Sequence, residues 1–390
     1  MFEKKADILE KMGAEITTRE IKQQPDLWKE ALQIYKENKE AIAAFFERAE
    51  KETKKKIRVI FTGAGTSQYV GDTLVPYLTK KGNTKVFTFE SIGTTDIVAA
   101  PYDYLLSDEV TILVSFARSG NSPESLAAVE IANAIVENIF HITITCAPDG
   151  QLAQFAEGDD RVLLLLMPEK SNDKGFAMTG SFTCMTLSAL LIFDQTELKK
   201  KEVYVTAMSE MGREVICREE EIQSLLKDEY HRIVYLGSGS LSGLTREAQL
   251  KVLELTAGKI ATVFDSSLGF RHGPKSFVDS KTLLFVFINN DVYTRKYDLD
   301  ILTEVHRDQI AAQVVGIGQK DSAEVAGTPF LFSEEEVILP EAYQVFPDIL
   351  FAQTVALNSS IKVSNTPDTP SPTGTVNRVV EGVTIYELKK

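Results

Sequence analysis

The chain carries one passage twice. Arg58-Val-Ile-Phe-Thr-Gly63-Ala-Gly65-Thr-Ser67 returns as Arg232-Ile-Val-Tyr-Leu-Gly237-Ser-Gly239-Ser-Leu241, an offset of 174 residues. At that offset Lys85 to Phe89 falls on Lys259 to Val263, Val110 to Ser115 on Leu284 to Asn289, the run around Ile142 on Val314 to Gln319, and Val162 to Leu166 on Glu336 to Pro340. Five apolar runs at one spacing indicate a duplicated domain, since each run must find the same place in its own copy. The runs are short, rich in Val, Ile and Phe, and alternate with helical stretches. That pattern predicts an α/β fold: two tandem domains, each a five-stranded parallel sheet covered by helices on both faces.

The predicted first-copy strands lie near 57–62, 85–90, 110–115, 140–146 and 161–167. Their second-copy counterparts lie near 231–237, 259–265, 282–289, 313–318 and 336–340. The organisation expected from this is N-terminal helices over 1–45, a first domain over 46–200, a helical connector over 201–228, a second domain over 229–365 and a tail over 366–390. Residues 5–50 read as helices packing across the first domain, with Trp28, Leu32, Tyr35, Ile42, Phe45 and Phe46 as their apolar stripe. A helix over about 342–361 precedes the proline-broken tail.

Composition limits the functions available. With 44% hydrophobic and 25% charged residues, the 390-residue chain can build two cores. A formal charge of −14 disfavours nucleic acid and anionic membrane as partners. Cys146, Cys184 and Cys217 form no CxxC pair, and the four histidines have no HxxxH or HxH spacing, so neither a disulfide framework nor a metal site is expected. No secretory leader or membrane span is legible, which places the chain in a reducing cytoplasm.

In open parallel sheets, ligands sit beyond the carboxyl ends of strands. Gly63-Ala-Gly65-Thr66-Ser67 lies at such an end and opens a helix, where free N–H groups, the helix dipole and two hydroxyls favour an anion. The same passage is compatible with a dinucleotide turn, although Gln68 replaces the third glycine, or with a tight strand-helix turn capped by Ser67. A second loop, Arg118-Ser119-Gly120-Asn121-Ser122-Pro123, follows the strand ending near Ser115, and Pro123 suits a first helical turn. Two hydroxyl-rich helix starts on neighbouring strands can enclose one phosphate. Taken singly, Ser122 reads better as an N-cap and Arg118 as a surface charge; the two loops together favour the phosphate reading.

The second copy lacks the Ser-Gly pair and carries Tyr293-Thr-Arg-Lys-Tyr at the matching place. Its helix near Leu241 instead holds Glu247, Lys251 and Glu254, at spacings that put a lysine between two carboxylates on one face. The first copy has Thr73, Tyr77 and Lys80 there. Such a face is either a solvated salt-bridge ladder or, if the flanking Leu250, Val252, Leu253 and Leu255 enclose it, a proton shuttle. Gly269-Phe-Arg271-His272-Gly273-Pro274 then places a histidine before a fixed turn.

Together these motifs resemble the double SIS (sugar isomerase) family, over residues 45–365, and in particular the isomerase half of glucosamine-6-phosphate synthase. The resemblance implies two tandem SIS domains, flavodoxin-like three-layer sandwiches. It also implies that Gly65, Thr66, Ser67, Arg118, Ser119, Gly120 and Ser122 bind a sugar phosphate, and that Glu247, Lys251, Glu254 and His272 carry proton transfer without metal or cofactor. Ala117 and Arg118 stand where the synthase has serine and glutamine. Met1-Phe2 in place of a glutaminase domain implies that ammonia is not drawn from glutamine. The tail Pro370-Ser-Pro-Thr-Gly374-Thr-Val-Asn377-Arg378-Val-Val is similar to the AgaS-type branch, associated with galactosamine and tagatose 6-phosphate catabolism.

The activity implied is conversion of galactosamine 6-phosphate to tagatose 6-phosphate and ammonia, in a homodimer or homotetramer whose subunits share active sites. The alternatives are a ketose/aldose isomerase of unaminated sugar phosphates and a sugar-phosphate-binding regulator. A dehydrogenase is disfavoured by the missing glycine.

Overall fold

The computed structural model describes the chain except residues 157, 320–323, 334–335, 375, 379–381 and 389–390. In chain order the helices are α1 (Ala6–Lys11), α2 (Glu15–Lys22), α3 (Gln24–Glu37), α4 (Lys39–Lys51), α5 (Thr66–Lys81), α6 (Thr94–Ala99), α7 (Pro101–Tyr104), α8 (Pro123–Ile135), α9 (Gln151–Gln154), α10 (Gly180–Phe193), α11 (Leu198–Cys217), α12 (Glu219–Leu225), α13 (Ser240–Leu255), α14 (Thr294–Asp308) and α15 (Glu341–Lys362). The strands are β1 (Ile57–Thr62), β2 (Phe87–Ser91), β3 (Thr111–Ala117), β4 (Ile139–Thr145), β5 (Val162–Leu166), β6 (Arg232–Gly237), β7 (Ala261–Ser266), β8 (Thr282–Phe287), β9 (Gln313–Gln319) and β10 (Thr328–Phe332). Among the described residues no helix is long and apolar enough to cross a membrane.

The chain forms two compact units, each built on one sheet. The first-sheet unit comprises residues 27–173, 180–197 and 376–390; the second-sheet unit comprises 1–26, 174–179 and 198–375. Both sheets are parallel and share one topology, β2-β1-β3-β4-β5 and β7-β6-β8-β9-β10. The order turns about β1 and β6, and in open parallel sheets ligands bind beyond the strand ends at such a switch point.

Burial explains why these segments are strands. Every residue of β1, β3 and β4 is buried, as expected when helices cover both faces of a parallel sheet. One face of the first sheet packs Ile60, Leu113 and Ile139 against Ala128 and Ile131 of α8. Phe61, Phe87 and Phe89 meet Phe193 of α10, all at ring separations of 5.4–6.0 Å. The second sheet packs Val234, Leu284 and Val286 against Ile301, Leu302 and Val305 of α14. Its other face carries α15, nearly all of it buried.

The repeat is less regular in three dimensions than in the text. Arg58 pairs with Thr111 and Arg232 with Thr282, so the third strands correspond at 171 residues, not 174. Asn289 therefore matches Arg118, and Asn290-Asp291, rather than Tyr293 onward, stands where Ser119-Gly120 does. The fifth strand of the second sheet is β10, over 328–332, and not 336–340. The connection before it, 320–327, is shorter than its first-copy equivalent, 146–161, and the register slips accordingly.

The N-terminal helices do not all pack on the first domain. Residues 1–26 belong to the second-sheet unit, where Asp368 accepts bonds from Ile16 N, Thr17 N and Thr17 Oγ1 at 2.7–3.1 Å and Gln24 bonds Gln353 at 2.6 Å. The tail divides as well: residues to 374 join the second-sheet unit and those from Val376 the first, where Leu388 packs on the core. Of the quoted tail motif, Thr375, Val379 and Val380 lie outside the described residues.

Candidate active site

Among the described residues the first copy presents an open helix start. Gly65 has φ +56°, a conformation that favours glycine, and a Cβ placed there would meet no atom within 4 Å. Gly63 is required for a different reason, because a Cβ on it would lie 2.5 Å from Ser67 Cβ. Thr66 and Ser67 are buried in the first turn of α5. Gly65, not Ser67, is the N-cap, so the reading of Ser67 as a cap is replaced: it is a buried residue of the first helical turn.

The neighbouring loop is similarly arranged. Ser122 occupies the N-cap of α8 with Pro123 behind it, yet its hydroxyl makes no capping bond. Gly120 has φ +68°, and its carbonyl accepts from Leu152 N at 3.1 Å, while Asn121 accepts from Gln151 N at 3.0 Å. The segment after β4 thus fixes the loop that carries Ser119 and Ser122. Arg118 is not a surface charge. It is 7% exposed and donates to the Arg378 carbonyl at 2.6 Å, while the Arg378 guanidinium bonds the Asp173 carbonyl and Asn172.

The equivalent crevice of the second copy is filled. Gly239 repeats the Gly65 backbone at φ +61°, ψ −131°, but a Cβ there would collide with the Glu341 carboxylate. Glu341 Oε2 accepts from Asn289 Nδ2 at 2.8 Å and lies 3.4 Å from Ser240 N at the start of α13. Asp298 sits alongside, accepting from Ser238 and Ser267 hydroxyls at 2.5 Å and from Asn289 N at 3.0 Å. Burial raises the Asp298 carboxyl above its ordinary range despite these bonds. Protein carboxylates occupy this helix start in place of a ligand.

What the second copy gained lies further along α13. Glu247 and Lys251 have no exposed surface, whereas Leu253, expected to help enclose them, is 39% exposed. The helix is inverted there, with the ion pair inside and a leucine outside, so the solvated-ladder reading falls. Lys251 Nζ lies 3.2 Å from Glu247 Oε1 and 2.7 Å from Glu254 Oε2. Burial pulls the Lys251 pKa down, but the two carboxylates outweigh it and hold the ammonium above its ordinary range. Only Glu254 of the three has exposed side-chain surface, 23%.

His272 stands apart from this triad. It is exposed, between 3-10 turns at 269–271 and 274–277, with Gly273 at φ +128° after it. No hydrogen bond or ion pair joins its ring to α13 among the described residues. The structure therefore assembles Glu247, Lys251 and Glu254, and leaves His272 on its own loop of the same unit. The sequence reading missed Glu341 and Asp298, whose partners are remote along the chain and carry no local motif.

Comparison with known proteins places these features in a family. The SIS domain model matches residues 53–193. The chain is 44% identical over 379 residues to D-galactosamine-6-phosphate deaminase AgaS of Escherichia coli O157:H7, covering 95% of each chain. The chain belongs to the AgaS family of SIS-domain proteins. A Shewanella sp. (strain ANA-3) AgaS of the same description is 39% identical, over 99% of this chain and 95% of the other. The structure of tagatose-6-phosphate ketose/aldose isomerase from Escherichia coli superposes with a TM-score of 0.86 at 40% identity, covering 96% and 97% of the two chains. AgaS relatives thus align along both units, including the second copy with its Glu247-Lys251-Glu254 triad.

Proposed function

We propose that this AgaS-family chain is a deaminating aldose-ketose isomerase that converts D-galactosamine 6-phosphate and water to D-tagatose 6-phosphate and ammonia. The observation that carries the reading is the buried Glu247-Lys251 pair with Glu254 partly exposed beside it. A lysine held charged against a carboxylate that solvent can reach suits proton abstraction next to developing negative charge. The AgaS relatives carry the name of the same deaminase.

In this reading the phosphate is held by Ser67, Ser119 and Ser122 with the N–H groups of their helix starts, and Arg118 adds charge. His272 moves a proton between the ring oxygen and O1 to open the sugar. Glu254 takes the C2 proton while O1 gains a proton from water, giving an enolamine, and then returns its proton to C1 as the amine nitrogen releases one to water. Lys251 steadies the charge near O1, and Glu247 keeps Lys251 charged. The C2 imine that results is hydrolysed by water to the ketose and ammonia. No cofactor is required for these steps.

The protein is further proposed to act in the cytoplasm as a homo-oligomer. Supporting the second point, Leu253 of α13, Phe264 of the edge strand β7 and Leu268 after it are 39%, 41% and 48% exposed, apolar side chains on elements that carry or precede Glu254 and His272.

Galactosamine, glucosamine and galactose 6-phosphates, offered separately to the purified protein, test the reading through ammonia and ketose release. Ammonia and tagatose 6-phosphate from galactosamine 6-phosphate are expected. Conversion of galactose 6-phosphate with no ammonia from either amino sugar would instead favour the ketose/aldose isomerase activity that the E. coli structural relative is named for. Binding of sugar phosphate without turnover would point to a regulator.

A further inference from the structure

We propose that Glu304 of α14, flanked by Asp300 and Asp308, is the positioning residue for His272, latching its loop to the helix. This rests on the role given to His272 above. Asp300, Glu304 and Asp308 recur at four-residue spacing, so they form a ladder of carboxylates along one face of α14. The loop offers two cations, Arg271 and Lys275, one on each side of His272.

The pairing is dense. Arg271 Nε meets Glu304 Oε2 at 2.7 Å and its Nη2 meets Asp300 at 2.9 Å. Lys275 Nζ meets Glu304 Oε1 at 2.5 Å and Asp308 at 2.6 Å. Glu304 thus spends one oxygen on each flank of the histidine and is the member both cations share. These side chains keep only 22–29% of their surface, Asp300 excepted. An isolated exposed pair contributes little, but a shared, half-buried network resists solvent and restricts two chain positions at once.

The remaining anchors of the loop leave the histidine itself unrestrained. Phe270 is fully buried, Arg232 donates to the Phe277 carbonyl at 2.7 Å, and Ser276 bonds the Gly273 carbonyl at 2.8 Å. Among the described residues His272 is tied only through its backbone N–H, to the Gly269 carbonyl at 2.9 Å. Glycine on its C-terminal side gives the loop freedom that the latch removes. A displacement of about 1 Å at a catalytic group is enough to lower a rate roughly 100-fold.

The test combines hydrogen-deuterium exchange over residues 268–278 with steady-state kinetics for Glu304→Gln, His272→Ala and the double variant. Expected are exchange about tenfold faster in Glu304→Gln with the rest of the second-sheet unit unchanged, kcat down about tenfold and KM within about twofold. The double variant should be no slower than His272→Ala alone, a non-additivity that general loss of stability would not give. Unchanged exchange in Glu304→Gln, or additive losses in the double variant, would overturn the latch. Full activity in His272→Ala would remove the role assigned to that residue, and the latch would then stand or fall on the exchange result.

Discussion

The two copies begin their first helix with the same turn and use it in opposite ways. Gly65 and Gly239 differ by about 5° in φ and ψ, so the backbone geometry that suits an anion is present twice. Among the described residues the first copy leaves it open at Gly65. The second closes it with Glu341 and lines its neighbourhood with Asp298. In the second copy a protein carboxylate stands at this helix start, and the same helix carries Glu247, Lys251 and Glu254 further along. In the function proposed above, duplication gives one copy that grips the substrate and one that reacts, from the same scaffold.

The comparison breaks most severely at Lys251. Lys251→Met strands Glu247, which is fully buried, and should destabilise the second-sheet unit by about 3–5 kcal/mol, measured by denaturant unfolding, besides abolishing turnover. The matching residues of α5, Thr73, Tyr77 and Lys80, hold no such pair.

A second contrast is set by pH. His141 in β4 aligns with Val314 in β9, and burial lowers the imidazole pKa to about 4 against an ordinary 6.5. Stability from this group is complete above pH 6.5 and is lost as pH falls through 4, about 3 kcal/mol in all. Asp298 and Asp348, raised by burial, act in the opposite sense, binding protons in the folded second-sheet unit. Exchange-monitored acid unfolding should show the first-sheet unit yielding first, and His141→Phe should delay it.

The phosphate loops come next in size. Ser67→Ala and Ser122→Ala should each raise KM for the sugar phosphate about tenfold, the worth of roughly 1.5 kcal/mol for a bond to a charged group, with kcat little changed. Smallest is the plug. Glu341→Ala should cost about 1–2 kcal/mol, and titration calorimetry with inorganic phosphate should find two binding events per chain where the parent shows one.

Much of this was legible in the text because the strands are buried on both faces and read as unbroken apolar runs. All five strands of the first sheet and four of the second fall where they are expected to within a few residues. The fifth of the second sheet does not, since loop length is free to change while strand composition is not; Ile338 and Leu339 looked like a strand and are coil. Within the site, the spacing of Glu247, Lys251 and Glu254 gave their shared face but not its burial, which depends on α15 packing over α13. Glu341, Asp298 and the α14 ladder act across long sequence separations. Only the ladder left a signal, carboxylates at 300, 304 and 308 opposite cations at 271 and 275.

The division of labour itself is tested by Glu254→Gln with galactosamine 6-phosphate, measuring substrate affinity and ammonia release on one preparation. Loss of a general base lowers kcat about 10²–10⁴-fold, and under the proposed assignment of phosphate binding to Ser67, Ser119 and Ser122 affinity should stay within a few-fold. Unimpaired turnover, or lost binding with the chemistry intact, would contradict the account.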